Sequence, residues 1–233
     1  MIAPFRAFKK PVLLDEKEHK DLKIKKPLDY SFMQEVEIVP LGFSEILPAS
    51  MYFPVMFGIQ EGEIFPFAVL GVNQKNIFIN KDGFWKVDVI PKVAQIYPFG
   101  IIKHKEQDKE EWSVIVDVAM SDSEGERIFE ENGEETVYFK SIKTELTDLA
   151  IDFQKAYEFC QEIYKEGCLK TINFEVTTKY GNMSFKNVLI GNIENLKKIQ
   201  PEKLYYFNSL GYLPLIYAIY FSVRNFKLFD LIS

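Results

Sequence analysis

From Ile142 to Tyr164 apolar side chains recur at three- and four-residue steps (Ile142, Leu146, Leu149, Phe153, Ala156, Tyr157, Cys160, Ile163, Tyr164), while Lys143, Glu145, Asp152, Lys155, Glu158 and Glu162 fall mostly on the other side. That spacing matches the α-helical period, so it predicts one long amphipathic helix with a single face to bury. Gly167 is its natural stop, because glycine takes the left-handed conformation that closes helices at least cost. A helix this long needs a broad apolar partner, and the rest of the chain offers strands. Between Tyr52 and Asn80 the short apolar segments MYFPVMFG, FPFAVLGV and NIFIN are separated by turn residues at hairpin spacing, which predicts an antiparallel meander. Trp112 to Val118 (WSVIVDV) is β-branched enough for a strand buried on both faces. Ile172, Phe174 and Val176 alternate with polar residues, and the alternation resumes at Met183 and Phe185 after Tyr180-Gly181-Asn182, which predicts a hairpin with one face on a core. Pro91 is placed to open a short helix that runs to Tyr97 and is ended by Pro98. Pro201 and Pro214 are placed to open two last helices, with Gly211 between them. The expected fold is α+β, with antiparallel sheets packed against the long central helix and the C-terminal helices. No internal repeat of fixed period emerges.

The charge is distributed unevenly. Residues 1–27 carry eight basic side chains against four acidic ones, and we read them as a basic N-terminal arm. Residues 28–233 then form a single α+β domain, with a seam near 120–140 as the place where two sub-domains would meet. From Lys103 to Glu135 there are four basic and twelve acidic side chains, and the stretch SDSEGERIFEENGEE within it is expected to be a long solvated loop. The basic arm lies across this acidic loop, or each meets a partner, or, as ordinary charge runs favour, both are solvated surfaces. Overall the formal charge is −6, from 28 basic and 34 acidic residues, which argues against nucleic acid as a partner because phosphate neutralisation needs Lys and Arg.

Several function classes lose their sequence support. MIAPFRAFKK breaks any apolar leader with Pro, Arg and Lys, so Sec export is not expected and a cytoplasmic location is. The longest apolar run, Leu213 to Val223 (LPLIYAIYFSV), is shorter than the roughly 20 residues of a membrane span. It is read as a core helix, and no transmembrane segment is expected. Cys160 and Cys168 are about 12 Å apart along a helix at ~1.5 Å per residue, too far to bridge, and are expected to be buried thiols. The two histidines, His19 in KEHKD and His104 in KHKEQ, sit among charges in expected loops, so a nucleophile–histidine triad is hard to build. No metal-ligand spacing, Gly-x-Gly-x-x-Gly, Gly-Lys-Ser/Thr or Gly-x-Ser-x-Gly pattern occurs, and the acidic run lacks the spaced ligands of an EF-hand, so no catalytic residue, cofactor or metal is expected. What the chain does have is rigid aromatics beside prolines: Phe53-Pro54, Phe65-Pro66-Phe67 and Tyr97-Pro98-Phe99. Such side chains either fill a core or form a contact surface at low entropic cost. The residues expected to form a binding groove are Trp85, Pro91, Tyr97, Pro98 and Phe99.

The order of short motifs resembles the SapC family of bacterial proteins, named for a component associated with the paracrystalline surface layer (S-layer). The residues that carry the resemblance are Lys10-Pro11-Val12 with His19, Val39-Pro40-Leu41 with Glu45, Tyr52 to Phe57, Ala68 to Gly71 and Asn76 to Ile79. They continue with Asp82-Gly83 and Trp85, then Ile90-Pro91 leading to Tyr97-Pro98-Phe99, Ile128-Phe129-Glu130 with Asn132-Gly133, and Leu215 to Ala218 with Ser222 and Asn225. Where relatives commonly have an Arg pair before Tyr-Pro-Phe this chain has Gln95 and Ile96, and where a His often follows Tyr-Ala it has Ile219. The resemblance implies a non-enzymatic accessory or interaction protein of surface-layer biogenesis, with a surface-layer protein or its export and assembly machinery as partner and association with the cell surface. The alternative is an enzyme of unknown reaction that uses carboxylates or an external metal. A third expectation, from the arm alone, is contact of residues 1–27 with an anionic membrane.

Overall fold

The computed structural model describes residues 5–60, 62–106 and 109–232. The predicted helix is its longest element, 29 residues from Val137–Lys165 (α3), and is longer than the periodicity implied because Thr136 caps it: the Thr136 hydroxyl accepts from the N–H of Phe139. It ends at Gly167, whose φ is 68°. Its buried stripe includes Phe139, Ile142, Leu146, Leu149, Phe153 and Phe159. Of the residues placed on that stripe by spacing, Tyr164 stands outside, half exposed.

Two antiparallel sheets meet this helix. Before them along the chain come β1 (Pro11–Leu13), β2 (Lys23–Ile24), β3 (Ile38–Pro40) and a short helix α1 (Ile46–Ser50). The meander follows as β4 (Val55–Gln60), β5 (Glu63–Val69), and the small ribbon β6 (Gly71–Val72) and β7 (Lys75–Asn76). Helix α2 (Lys92–Ile96) starts directly after Pro91. Then come β8 (Phe99–Glu106), β9 (Lys109–Asp117) and β10 (Glu126–Arg127), and beyond α3 the hairpin β11 (Leu169–Thr178) and β12 (Gly181–Gly191). Helices α4 (Ile193–Leu196), α5 (Pro201–Ser209), α6 (Tyr212–Ser222) and α7 (Leu228–Leu231) finish the chain. The larger sheet runs β11-β12-β4-β5-β3, and the smaller runs β1-β9-β8. Helix α3 packs against β5 of the first and β8 of the second, so one apolar stripe serves both sheets. Phe53, Phe57, Phe78, Phe99, Phe139, Phe159, Phe207 and Phe229 are fully buried in a single cluster drawn from the whole chain. At about 1.5–3 kcal/mol per buried large side chain, these rings are a main source of the driving force.

Several expectations need correction. Over its described residues the basic stretch follows the alternative in which it lies across the acidic segment: β1 pairs with β9, and β2 with β10. Lys25 reaches Asp122 at 3.4 Å and Glu124 at 3.7 Å, and Arg127 reaches Asp21 at 3.4 Å, so the basic segment lies across the acidic one. These exposed pairs are screened and contribute little individually; they set register more than stability. The acidic segment is not a solvated loop throughout, since Ile128 and Phe129 are buried and anchor it. His104 lies in β8 and not in a loop. Of the segment NIFIN (76–80) only Asn76 lies in a strand, β7. Trp112 and Val114 in β9 are only half buried. In α6 only Leu215, Ile216, Ile219 and Ser222 are buried, while Tyr217 and Phe221 lie exposed on its outer side. Among the described residues no helix is long and apolar enough to cross a membrane.

One structural motif occurs twice without a matching sequence period. Asn80 and Glu130 each accept from a glycine three residues on (Gly83 and Gly133, φ 83° and 86°), and each donates to the carbonyl four residues on, 2.9 and 2.7 Å away. A positive φ is what the sequence pair Asp82-Gly83 and Asn132-Gly133 supplies.

The chain near residues 9–10 is tied down by one carboxylate. Asp117 is completely buried and accepts from the N–H of Lys9 and of Lys10 at 2.8 Å, from the N–H of Ala119 at 3.1 Å, and from the Tyr97 hydroxyl at 2.8 Å. Burial pushes its carboxyl up, but these four donors outweigh it and hold it below the usual carboxylate range. Asp117→Ala strands all four donors and is expected to cost at least about 3 kcal/mol, whereas Tyr97→Phe removes one donor and costs about 1–2 kcal/mol. Urea denaturation of the two variants checks this order.

Candidate functional site

The residues expected to form a groove are for the most part core residues. Tyr97 is 2% exposed, stacked on Phe32 with ring centroids 4.1 Å apart, and its phenol is pushed well above the ordinary value by burial and then by Asp117. Phe99 is 1% exposed and packs against Tyr138 and Phe139. Pro91 and Pro98 are buried, and Trp85 is half buried between Tyr30 and Phe53. Tyr97 is further tied to the chain at Lys9 and Lys10, since all three donate to Asp117.

A polar cluster lies where the turn Phe43–Glu45 meets α2 and α3. The Ser44 hydroxyl donates to Asp152 Oδ2 at 2.7 Å, and Lys92 Nζ donates to the same oxygen at 2.8 Å and to Ser44 Oγ at 2.9 Å. Ser beside Lys is a nucleophile–base pairing in principle. Here the ammonium and the hydroxyl both donate to one carboxylate, so no free base faces Ser44. Burial pushes Asp152 up, but Lys92 and Ser44 outweigh it and keep it below the usual carboxylate range. Beside it Glu45 accepts from the N–H of Gly42 at 2.9 Å and of Lys92 at 2.7 Å, and burial raises its carboxyl to about 6 against these bonds. A side chain at position 42 would overlap the Asp152 carboxylate, which is why a glycine stands there. The cluster joins three elements and is a structural clamp.

The open site lies where the two sheets diverge beneath α3. It is a cavity of about 150 Å³ walled by Phe65 and Pro66 of β5, Ile38 and Pro40 of β3, Trp112 of β9, and Phe153, Ala156 and Tyr157 of α3. Its polar groups are Glu63, Lys103, Gln60 and Gln154. Lys103 and Trp112 are direct cross-strand partners, so their side chains stand on the same face of the small sheet. That face is turned to α3, where Trp112 stacks on Phe153 with centroids 6.4 Å apart. Lys103 is 8% exposed; its Nζ lies 3.4 Å from Glu63 Oε1 and 5.2 Å from the centre of the Tyr157 ring. Lys103 is the buried member of this pair, while the Glu63 side chain is 30% exposed at the cavity's edge. A separate, more open groove of about 630 Å³, which shares Trp112 and Gln154 with the cavity, runs along α3, lined by Ile101, Val114, Leu146 and Ala150 with Lys143, Lys155 and Glu158.

The SapC family model matches residues 14–228 of the 233. The chain belongs to the SapC family. No curated protein and no solved structure matches it. The match takes in every residue that lines the cavity of this SapC chain. Among the described residues no group of three or more His, Cys, Asp and Glu side chains is gathered to hold a metal ion.

The cavity was partly visible in the sequence. Phe65-Pro66 is one of the proline-flanked aromatic pairs, and Trp112 was placed in a strand. Lys103 stands in composition as one charge in an acidic stretch. Its signal is alternation: it follows Ile101 by two residues and so shares the inward face. Phe153, Ala156 and Tyr157 were assigned to the helix stripe, and nothing in periodicity separates a stripe residue under a sheet from one beside a gap.

Glu45 makes the clamp pH-sensitive. A carboxyl raised from 4.5 to about 6 in the fold binds its proton more tightly folded than unfolded, so its ionisation costs stability as pH rises through that window. Stability is therefore expected to fall by about 2 kcal/mol between roughly pH 4.5 and 6.5 in the wild type, with the fall absent in Glu45→Gln. Asp117 and Asp152, lowered in the fold, act in the opposite sense and at lower pH. Urea midpoints across this range read the difference.

Proposed function

We propose that this SapC-family chain is a non-enzymatic accessory protein of surface-layer biogenesis that holds a segment of a surface-layer polypeptide. The observation that carries the reading is the cavity between the sheets with a second groove beside it along α3: a pocket sized for one anchoring side chain and, sharing Trp112 and Gln154 with it, a groove lined by apolar and charged side chains. Interfaces concentrate their energy in such arrangements, where a few buried anchors supply affinity and the rim excludes water. The surface-layer context is what the resemblance to the SapC family implies, and the clamp at Ser44, whose polar groups are already partnered by one another, favours binding over catalysis.

Gln154 lines both the pocket and the groove and is half exposed, so a bulky residue there plugs the junction from the solvent side without entering the core. Gln154→Trp is expected to weaken capture of purified surface-layer protein at least about tenfold, read by biolayer interferometry, with an unchanged melting temperature. Undiminished capture by the folded variant would remove the groove from the reading, and absence of capture by the wild type would remove the accessory role.

A further inference from the structure

Helix α6 leaves one apolar side uncovered, and none of its residues lines the cavity beneath α3. We propose that this outer side of α6 is a docking surface that seats the protein on the interface of an anionic lipid bilayer.

The sequence of α6, YLPLIYAIYFS, carries no charge on any side. A helix that is apolar all round is ordinarily enclosed by protein or lipid. Here only Leu215, Ile216, Ile219 and Ser222 are buried. At 3.6 residues per turn Leu213, Pro214, Tyr217, Tyr220 and Phe221 fall on the opposite arc, where Tyr217 is 42% and Phe221 50% exposed. On α1, which packs against α6, Leu47 and Met51 are exposed as well. Apolar patches of this kind mark a contact with a partner or a membrane.

The charge decides which. Residues 204–229 contain no Asp or Glu in a chain that has 34, and their only charges are Arg224 and Lys227. Arg224 continues the arc past α6, with its guanidinium 5.7 Å from the centre of the Phe221 ring. The acids that flank this stretch are Glu202 and Asp230, and Asp230 accepts from the N–H of Lys179 at 2.7 Å. Glu194 of α4, which also packs against α6, faces Lys197 at 3.2 Å. An anionic surface brought to the arc therefore meets cations beside apolar rings, whereas a second copy seated on the same arc would set Arg224 and Lys227 against their own duplicates. Tyrosine and phenylalanine at headgroup depth, with basic side chains reaching the phosphates, are the anchors of interfacial helices. With 11 residues α6 is shorter than the roughly 20 needed to span, so it lies along the interface. The overall charge of −6 does not oppose this, because charges beyond a Debye length of about 8 Å are largely screened.

The test floats the full chain with vesicles of phosphatidylglycerol and phosphatidylcholine in equal parts, and with vesicles of phosphatidylcholine alone. The wild type is expected to float with the mixed vesicles and to bind the neutral ones at least about tenfold more weakly. Tyr217→Gln combined with Phe221→Gln, both at exposed positions, is expected to weaken binding to the mixed vesicles at least about tenfold with an unchanged melting temperature. Arg224→Gln combined with Lys227→Gln is expected to remove most of the preference for phosphatidylglycerol. Phe221→Trp keeps the arc apolar, and its fluorescence is expected to shift to the blue on mixed vesicles beyond any shift of the wild type. Lys17→Gln combined with Lys20→Gln, in the basic N-terminal stretch, is expected to leave binding within about twofold. No flotation of the wild type, undiminished flotation of the folded Tyr217/Phe221 variant, or a loss that follows Lys17 and Lys20 instead would each overturn the assignment. So would sedimentation velocity showing a wild-type dimer that the Tyr217/Phe221 variant breaks into monomers, which gives the arc to a second copy. Capture of surface-layer protein at the cavity is measured without lipid, so its failure and the failure of this assignment are read separately.

Discussion

The apolar stripe of α3 is what every other part of this structure leans on. Two sheets that share no strand pair, the turn at Phe43–Glu45 and the helix α2 all bury side chains against it. Because one stripe must serve two sheets whose strands do not run on into each other, the sheets cannot stay in contact along the whole helix. Where they separate, between β5 and β8, the cavity forms. The site is thus a consequence of the architecture: its walls are core-type residues that have a neighbour on one side and space on the other.

Polar groups inside this frame divide into two kinds. Asp117 and the Glu45–Asp152–Lys92 clamp have close donors on each acceptor and hold segments that are distant in sequence, such as Lys9 to Asp117 and Ser44 to Asp152. The Lys103–Glu63 pair is different, with a longer contact, a cation held over the Tyr157 ring, and a position in the wall of a cavity. The first kind ties the fold together, while the pair in the cavity wall lines the space beneath α3.

Much of the fold was legible from periodicity. The stripe at Ile142 to Ile163 gave α3, the alternation around Tyr180-Gly181 gave the β11–β12 hairpin, and prolines 91 and 201 marked helix starts. The charged stretches were less legible, because composition alone does not reveal that Ile128-Phe129 anchor one segment or that Pro11–Leu13 adds a strand to β9. The candidate site was the least legible. Tyr97, Pro98 and Phe99 have the composition of a contact surface and sit in the core, since whether an aromatic faces a void or a neighbour depends on chain segments far away in sequence. Lys103 was the one residue whose inward alternation marked it, and its surroundings in charge hid that signal.

The central claim is that a partner occupies the cavity beneath α3. Hydrogen–deuterium exchange of the full chain with and without purified surface-layer protein tests it most directly. Added protection should appear in β5 around Glu63 to Pro66, in β8 around Lys103 and in α3 around Phe153 to Tyr157, with α5 and α6 unchanged. Protection confined to α5, α6 or the acidic segment, with none at those three places, would contradict the account.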